Sequence, residues 1–188
     1  LEEEDAWKGN PPEAHASYSW SKRMGERQAI AFHKEFGMNM AIVRPSNSYG
    51  PRDSDDLETA HALGSLIMKA INKMDPFVIW GDGSPIREYI YARDAAKGML
   101  LAMENYCVGD PINLASGEFV SIEELAKKIL NITNRNPEIK FDRDKPSGQK
   151  RRVLSNKKAE KKIGFKAETS LDVGIEKTIN WYKQRLGI

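Results

Sequence analysis

The feature that most constrains the fold is a short apolar run, Met38 to Val43, between a helical segment and a flexible loop. Residues 17–36 carry apolar side chains at helical spacing, and Gly37 follows them as a C-cap glycine would. A loop rich in Pro, Gly, Ser and Asp runs from Pro45 to Asp56. A nearly uninterrupted apolar run in this position is typical of a buried strand in a parallel sheet. We therefore expect an α/β protein.

The same alternation of helix and strand signals continues to the end of the chain. Helices are predicted at 57–73, at about 93–105, after Ser121 and at 171–186, with extended segments at Phe77–Trp80, Glu88–Tyr91, Ile112–Ala115 and Glu138–Phe141. Ser121, with Glu124 three residues later, has the pattern of a capping box. Turns or loops are expected at 81–85 and 144–149.

Composition narrows the class of protein. The chain has 188 residues, 29 Lys plus Arg against 27 Asp plus Glu, and one cysteine, Cys107. A single cysteine excludes an internal disulfide framework and a cysteine-clustered metal site, and it fits a reducing compartment. No apolar run approaches the ~20 residues that span a bilayer, and the balanced charge offers no strong field for nucleic acid. We expect a cytoplasmic protein with no metal site and no membrane or nucleic-acid partner.

Tyr18 and Lys22 are the first candidates for chemistry. Four residues apart in a predicted helix, their side chains emerge from one face. A nearby ammonium favours the phenolate, which would make Tyr18 a usable general acid and base. The same spacing also fits an ordinary surface pair.

Three longer segments resemble motifs of the extended short-chain dehydrogenase/reductase family. Tyr18–Glu26 resembles its YGxSKxxGE helix, and Arg44–Pro51 resembles its RPxNxYGP loop. That loop directly follows the apolar run, where ligands bind in open α/β sheets. Gly81–Asp94 resembles the GxGxxxRxFxHVxD segment. With Asn113–Gly117 and Lys145–Gly148 in the same order, the resemblance covers essentially the whole chain.

The resemblance implies a fold and an organisation. Residues 1–56 would be the carboxy-terminal remnant of a Rossmann-type NAD(P)-binding domain, and 57–188 mainly a small α/β substrate-binding domain with interleaved returns to the Rossmann sheet. The sequence contains no GxxGxxG loop to hold a dinucleotide diphosphate, and it does not begin with Met. We therefore expect the carboxy-terminal part of a longer enzyme, inactive on its own and homodimeric when whole.

Within the family, the resemblance is greatest to the GDP-fucose synthases, which carry out NADPH-dependent 3,5-epimerisation and 4-reduction of GDP-4-keto-6-deoxymannose. It implies that Tyr18, Lys22 and His61 are catalytic, with an upstream cysteine as the partner of His61. Contacts to NADP or NAD would come from Tyr18, Lys22, Pro45, Ser46, Asn47, Ser48 and His61. Contacts to a nucleoside diphosphate sugar would come from Asn47, Lys69, Trp80, Arg87, Lys145 and Arg151.

Physical chemistry agrees with the implied substrate, because a diphosphate is bound by converging cations and a base or sugar by an aromatic wall. Lys69 also fits a surface charge, and His61 a solvated helix residue. His15 and His33 have no motif around them and are expected to be surface or structural residues.

Two alternative functions remain open. One is a nucleotide-sugar 4-epimerase or 4,6-dehydratase, in which His61 has no role. The other is a non-catalytic binding protein derived from the same fold. For that protein, the basic residues Arg151–Arg152, Lys157–Lys158 and Lys161–Lys162 could face nucleic acid. The same lysines also fit one solvated face of a helix.

Overall fold

The structure, a computed structural model, describes residues 1–57, 59–145 and 148–188, so Pro146 and Ser147 of the predicted 144–149 loop lie outside it. The helices are α1 (Ala16–Phe36), α2 (Ala62–Ile71), α3 (Ala92–Asn105), α4 (Ile122–Ile132), α5 (Lys157–Ile163) and α6 (Leu171–Leu186). The strands are β1 (Val43–Pro45), β2 (Asn47–Tyr49), β3 (Phe77–Trp80), β4 (Ile86–Tyr91), β5 (Ile112–Leu114), β6 (Phe119–Ser121), β7 (Ile139–Asp142) and β8 (Arg151–Arg152). Short 3₁₀ turns at Glu3–Trp7 and Glu13–His15 precede α1. The α/β fold class is confirmed.

The predicted end of α1 and start of α4 are confirmed. Gly37 ends α1 in the left-handed conformation, with φ 65°, which costs glycine no steric strain. Before α4, the Ser121 hydroxyl accepts from the Glu124 amide at 3.1 Å, and the Glu124 carboxylate accepts from the Ser121 amide at 2.9 Å. The bounds of β3 and α6 are those predicted from the sequence.

The position of the first strand was predicted wrongly. Strand β1 occupies Val43–Pro45, and Met40 forms only an isolated bridge to Val108. Strand β5 is the one parallel partner of β1 in the described part of the chain. Met38 is 48 % exposed, because no described element covers this segment. An apolar run predicts that a segment is buried. The residues at which that segment pairs as a strand depend on the strands beside it.

Three short strands missed by the sequence analysis surround β4. Strand β2 pairs with it in parallel and β6 antiparallel, and β8 pairs with its first residues in parallel. Strands β3 and β7 form a separate parallel pair. Segments of two or three residues contain too few positions to show the period of a strand.

Strand β4 separates two hydrophobic cores. Tyr89 and Tyr91 belong to the first core and Ile90 to the second, because successive side chains point to opposite faces of a strand. The first core is built mainly from α2, α4 and α6, and it also contains Tyr49. The second contains residues of α3, β5 and α5, with Val43 packed against it. The division into domains 1–56 and 57–188 remains a prediction.

Helix α1 lies on the surface and contains no buried residue. Arg44 fixes it to β1, since the guanidinium bonds both carboxylate oxygens of Glu26 at 2.7 and 2.6 Å. Met24, Phe32 and Phe36 are exposed on it. No helix within the described ranges has both the length and the apolarity needed to cross a bilayer.

Candidate active site

Tyr18 and Lys22 lie together near the start of α1, as predicted. The Lys22 ammonium is 5.4 Å from the centre of the Tyr18 ring. The tyrosine is 68 % exposed, so its hydroxyl is accessible to a ligand. This arrangement can deliver a proton to a bound molecule and can hold a negative or hydroxyl-bearing group beside the ammonium.

A polar network joins α1 and the first residues of the chain to β1 and β5. Besides its ion pair with Glu26, Arg44 donates to the backbone oxygen of Glu3 at 2.6 Å. The buried carboxylate of Glu3 accepts a hydrogen bond from the backbone amide of Asn113 at 2.8 Å. A cleft of about 220 Å³ lies here, lined by Leu1, Glu2, Asp5, Ala6, Arg44, Pro45, Asn113, Arg152 and Leu154. The sequence analysis did not predict this role for Glu3, because the contact spans about a hundred residues of chain.

The segment Pro45–Ser48 runs from the last residue of β1 into the first two residues of β2. The Ser46 amide donates to the oxygen of Leu114 at 2.8 Å, whereas the Ser46 hydroxyl is buried with no partner in the described part of the chain. Asn47 donates through its side-chain amide to the oxygen of Glu88 at 2.7 Å. Ser48 is exposed. The segment is thus held by hydrogen bonds to backbone oxygens of β5 on one side and β4 on the other.

Two charged residues of β4 have different roles. Glu88 is 1 % exposed, and its carboxylate accepts from the amides of Gly117 and Leu154 at 2.8 and 2.9 Å. It therefore links two loops to the strand. Arg87 is half-buried and donates to the backbone oxygen of Gln149 at 2.6 Å. Partial burial lowers the pKa of the Arg87 guanidinium.

The other predicted sugar-binding residues form separate contacts. Lys145 places its ammonium 5.6 Å from the centre of the exposed Trp80 ring, so a cation and an aromatic wall do lie together. Lys69 donates to the oxygen of Val78 at 2.8 Å, and burial lowers the pKa of its ammonium. Arg151 stacks its guanidinium 4.7 Å from the ring centre of Phe119. Lys69 thus joins α2 to β3 rather than lying free on the surface.

The histidines occupy distinct places. His61 is exposed at the residue before α2, and its side chain does not cap the helix. The imidazole is therefore open to solvent. His33 bonds the oxygen of Met38 through Nδ1 at 2.7 Å, and His15 is exposed in a short turn. In the described ranges, no hydrogen bond or ring contact links the Tyr18–Lys22 pair to Asn47 or His61.

Two lysines of α5 contact residues elsewhere in the chain. Lys158 donates to Asp110 and to the oxygen of Pro111 at 2.8 and 2.9 Å. Lys162 lies 5.7 Å from the Tyr106 ring centre. These contacts fit the helix-face interpretation of the basic pairs.

Comparison with known proteins identifies the family. The model of the "NAD dependent epimerase/dehydratase family" matches residues 2–115, more than half of the chain. The chain belongs to this family.

Curated relatives in the epimerase/dehydratase family act on different sugars. The chain is 33 % identical over 165 residues to a GDP-L-fucose synthase of Sinorhizobium fredii, covering 86 % of this chain and 52 % of that protein. It is 32 % identical over 181 residues to a dTDP-4-dehydro-6-deoxy-D-allose reductase of a Streptomyces species, covering 96 % and 55 %. The chain spans about half the length of the curated relatives it matches.

Solved structures share the fold. A GDP-L-fucose synthetase of Naegleria fowleri bound to NADP matches with a TM-score of 0.88 at 27 % identity, over 96 % of this chain and 60 % of that one. A UDP-glucose 4-epimerase of Thermotoga maritima with UDP-glucose matches with a TM-score of 0.80 at 26 % identity, over 90 % and 54 %. The family resemblance seen in the motifs is thus confirmed in three dimensions.

Proposed function

We propose that the whole protein is a nucleotide-sugar epimerase/reductase of the GDP-L-fucose synthase kind. It would carry out NADPH-dependent 3,5-epimerisation and 4-reduction of GDP-4-keto-6-deoxymannose. The observation that carries the proposal is the exposed Tyr18 side chain with the Lys22 ammonium over its ring, on a helix that the Arg44–Glu26 ion pair fixes to β1. The GDP-L-fucose synthases among the relatives support this substrate, although the allose reductases share the family.

The residues present fit one end of a nicotinamide dinucleotide. Tyr18, Lys22 and the Pro45–Ser48 segment would hold the nicotinamide and its ribose, and the unpartnered Ser46 hydroxyl supplies a polar atom there. NADP is the cofactor proposed, with NAD as the alternative. When bound, the nicotinamide supplies hydride to the sugar.

The chain's own residues would then handle protons. Tyr18 donates its hydroxyl proton to the oxygen at sugar C4, and Lys22 stabilises the negative charge left on the phenol. His61 removes and returns protons at C3 and C5, and its side chain is exposed to solvent. Contacts to the nucleotide sugar would come from Asn47, Lys69, Trp80, Arg87, Lys145 and Arg151.

Exchange of the sugar's C3 and C5 hydrogens with solvent distinguishes this function from its alternatives. In D₂O, the whole protein is expected to incorporate deuterium at C3 and C5 of GDP-4-keto-6-deoxymannose, because epimerisation passes each C–H proton to water. His61→Ala should abolish that exchange, whereas His15→Ala should leave it unchanged. NMR of the recovered sugar measures both positions. If the unmodified protein exchanges neither, the synthase proposal fails in favour of a 4-epimerase or 4,6-dehydratase.

The 188-residue chain by itself is expected to have no micromolar affinity for NADPH and no reductase activity. Its only Gly-x-Gly, Gly81–Gly83, forms a turn that leads into β4, whereas dinucleotide diphosphates are bound by amides at a helix N-terminus. Calorimetry with NADPH measures the affinity, after circular dichroism has established that the chain is folded. A micromolar dissociation constant would show that these residues hold the dinucleotide unaided.

A further inference from the structure

Arg44 and Glu26 join helix α1 to the middle of β1. Their side chains are only 16 % and 17 % exposed, and the guanidinium bonds both carboxylate oxygens. A planar guanidinium that holds a carboxylate through two hydrogen bonds fixes its direction as well as its distance. The pair therefore restrains the rotation of α1 about its own axis.

The other side-chain hydrogen bonds of α1 in the described part of the chain do not reach a strand. Arg23 donates to the oxygen of Gly9 before the helix, and His33 bonds the oxygen of Met38 just after it. No residue of α1 is buried, so apolar packing within the described ranges restrains the helix little. The Arg44–Glu26 pair is thus the hydrogen-bonded link between α1 and the sheet.

Two contacts show that α1 runs antiparallel to β1. His33 packs against Gly109, where an added Cβ would lie 3.0 Å from the His33 Cβ, and the Gly109 amide donates to the oxygen of Met40 at 2.9 Å. His33 therefore lies level with the chain that leads into β1, and Glu26 lies level with Arg44. Seven helical residues span about 10 Å and four extended residues about 13 Å, so the two contacts agree.

Tyr18 and Lys22 lie farther along the same direction. They precede Glu26 by eight and four residues, and residues four apart follow one face of a helix. Eight helical residues correspond to about 12 Å, which is the length of about three or four extended residues beyond Arg44. Tyr18 and Lys22 thus lie past the carboxyl end of β1, level with the segment Pro45–Ser48.

We propose that Arg44 and Glu26 are positioning residues, whose ion pair sets α1 so that Tyr18 and Lys22 face a ring bound at Pro45–Ser48. That this ring is a nicotinamide, and that Tyr18 is the acid, rest on the proposed function. The alignment itself rests on the contacts of α1. A rotation of α1 by about 10° moves an atom at the helix surface by about 1 Å. A misplacement of about 1 Å can slow a reaction about 10²-fold.

The whole protein tests the pair through binding and through two separate reactions. Glu26→Gln and Arg44→Gln should each weaken the preferred nucleotide, NADPH or NADH, about threefold or more in a fluorescence titration, because Lys22 is displaced from the ribose. Each should slow single-turnover oxidation of that nucleotide by GDP-4-keto-6-deoxymannose about 10- to 100-fold. The double variant should be no slower than the slower single variant, since the two residues act as one unit. Deuterium exchange at C3 and C5 without nucleotide, which is assigned to His61, should stay within about twofold.

Lys158 and Asp110 provide the matched control. Their ion pair is also partly buried, and it fixes α5 to the residues before β5, outside the proposed site. Asp110→Asn removes the acidic charge of its pair, as Glu26→Gln does, and should leave nucleotide binding and oxidation within about twofold. Thermal unfolding of every variant establishes that the assays are run on folded protein.

The outcomes distinguish this inference from the proposed function. The inference is overturned if either single variant binds and oxidises the nucleotide normally, if C3 and C5 exchange falls as far as oxidation does, or if Asp110→Asn has the same effect. If the unmodified protein does not act on this sugar, the proposed function fails and nucleotide binding decides. Weaker binding in both Glu26→Gln and Arg44→Gln, with Asp110→Asn unchanged, then upholds the pair. Binding of neither nucleotide by the unmodified protein overturns the inference even where C3 and C5 exchange occurs.

Discussion

Replacing Tyr18 with phenylalanine in the whole protein is expected to lower turnover by about 10²–10⁴-fold, the usual effect of removing a general acid or base. The substitution removes only a hydroxyl that is open to solvent, on a residue that is 68 % exposed. The fold should therefore be unaffected. Steady-state oxidation of NADPH with GDP-4-keto-6-deoxymannose measures the turnover number, and thermal unfolding checks the fold.

A second tyrosine provides the control for this experiment. The Tyr106 hydroxyl donates to Asp110 at 2.8 Å beyond the end of α3, and it belongs to none of the proposed contacts. Tyr106→Phe should therefore keep turnover within about twofold of the unmodified protein. If Tyr18→Phe behaves like Tyr106→Phe, Tyr18 is not the acid and base.

Replacing Gly174 with alanine should destabilise the chain by roughly 3 kcal/mol, at the upper end of the usual cost of overpacking a core. A Cβ at Gly174 would lie 2.0 Å from the Tyr49 hydroxyl oxygen and 2.8 Å from its ring carbon Cζ. The ring is 3 % exposed and has edge contacts with Tyr89 and Tyr91, so it has nowhere to move. Urea unfolding followed by circular dichroism measures the change in the free energy of unfolding.

Gly25 is the matched control, because it also lies inside a helix but has nothing within 4 Å of an added Cβ. Alanine is favoured over glycine in a helix interior by about 1 kcal/mol, so Gly25→Ala should stabilise the chain by up to that amount. The same helical gain is included in the Gly174 variant, where the clash outweighs it. Stabilisation in both variants would show that α6 can shift away from Tyr49.

The sequence predicted well those elements whose signals are local. Helix α6 shows its periodicity, α4 has its Ser121–Glu124 box, and β3 is an apolar segment bounded by turn residues. The Tyr18–Lys22 pair belongs to the same class, since its geometry follows from helical spacing alone. Such features need no knowledge of the rest of the chain.

The features that were missed depend on contacts between distant segments. Strands β2, β6 and β8 are too short to show a pattern, yet they determine the faces on which Asn47 and the arginines lie. Arg151 and Arg152 are adjacent and identical in type, so only the register of β8 distinguishes them. The position of β1 depended likewise on its partner β5.

The position of β4 between two cores also restricts how the chain can misfold. A shift of β4 by one residue would move Tyr89 and Tyr91 out of the first core and force Ile90 into it, with the opposite error in the second. In a strand with one buried face, such a slip disrupts the packing of a single core. In β4 the same slip disrupts the packing of both cores. Alternative pairings of β4 are therefore excluded more strongly than for any strand with a solvent-exposed face. The placement of Arg87 on one face of β4 follows from that exclusion.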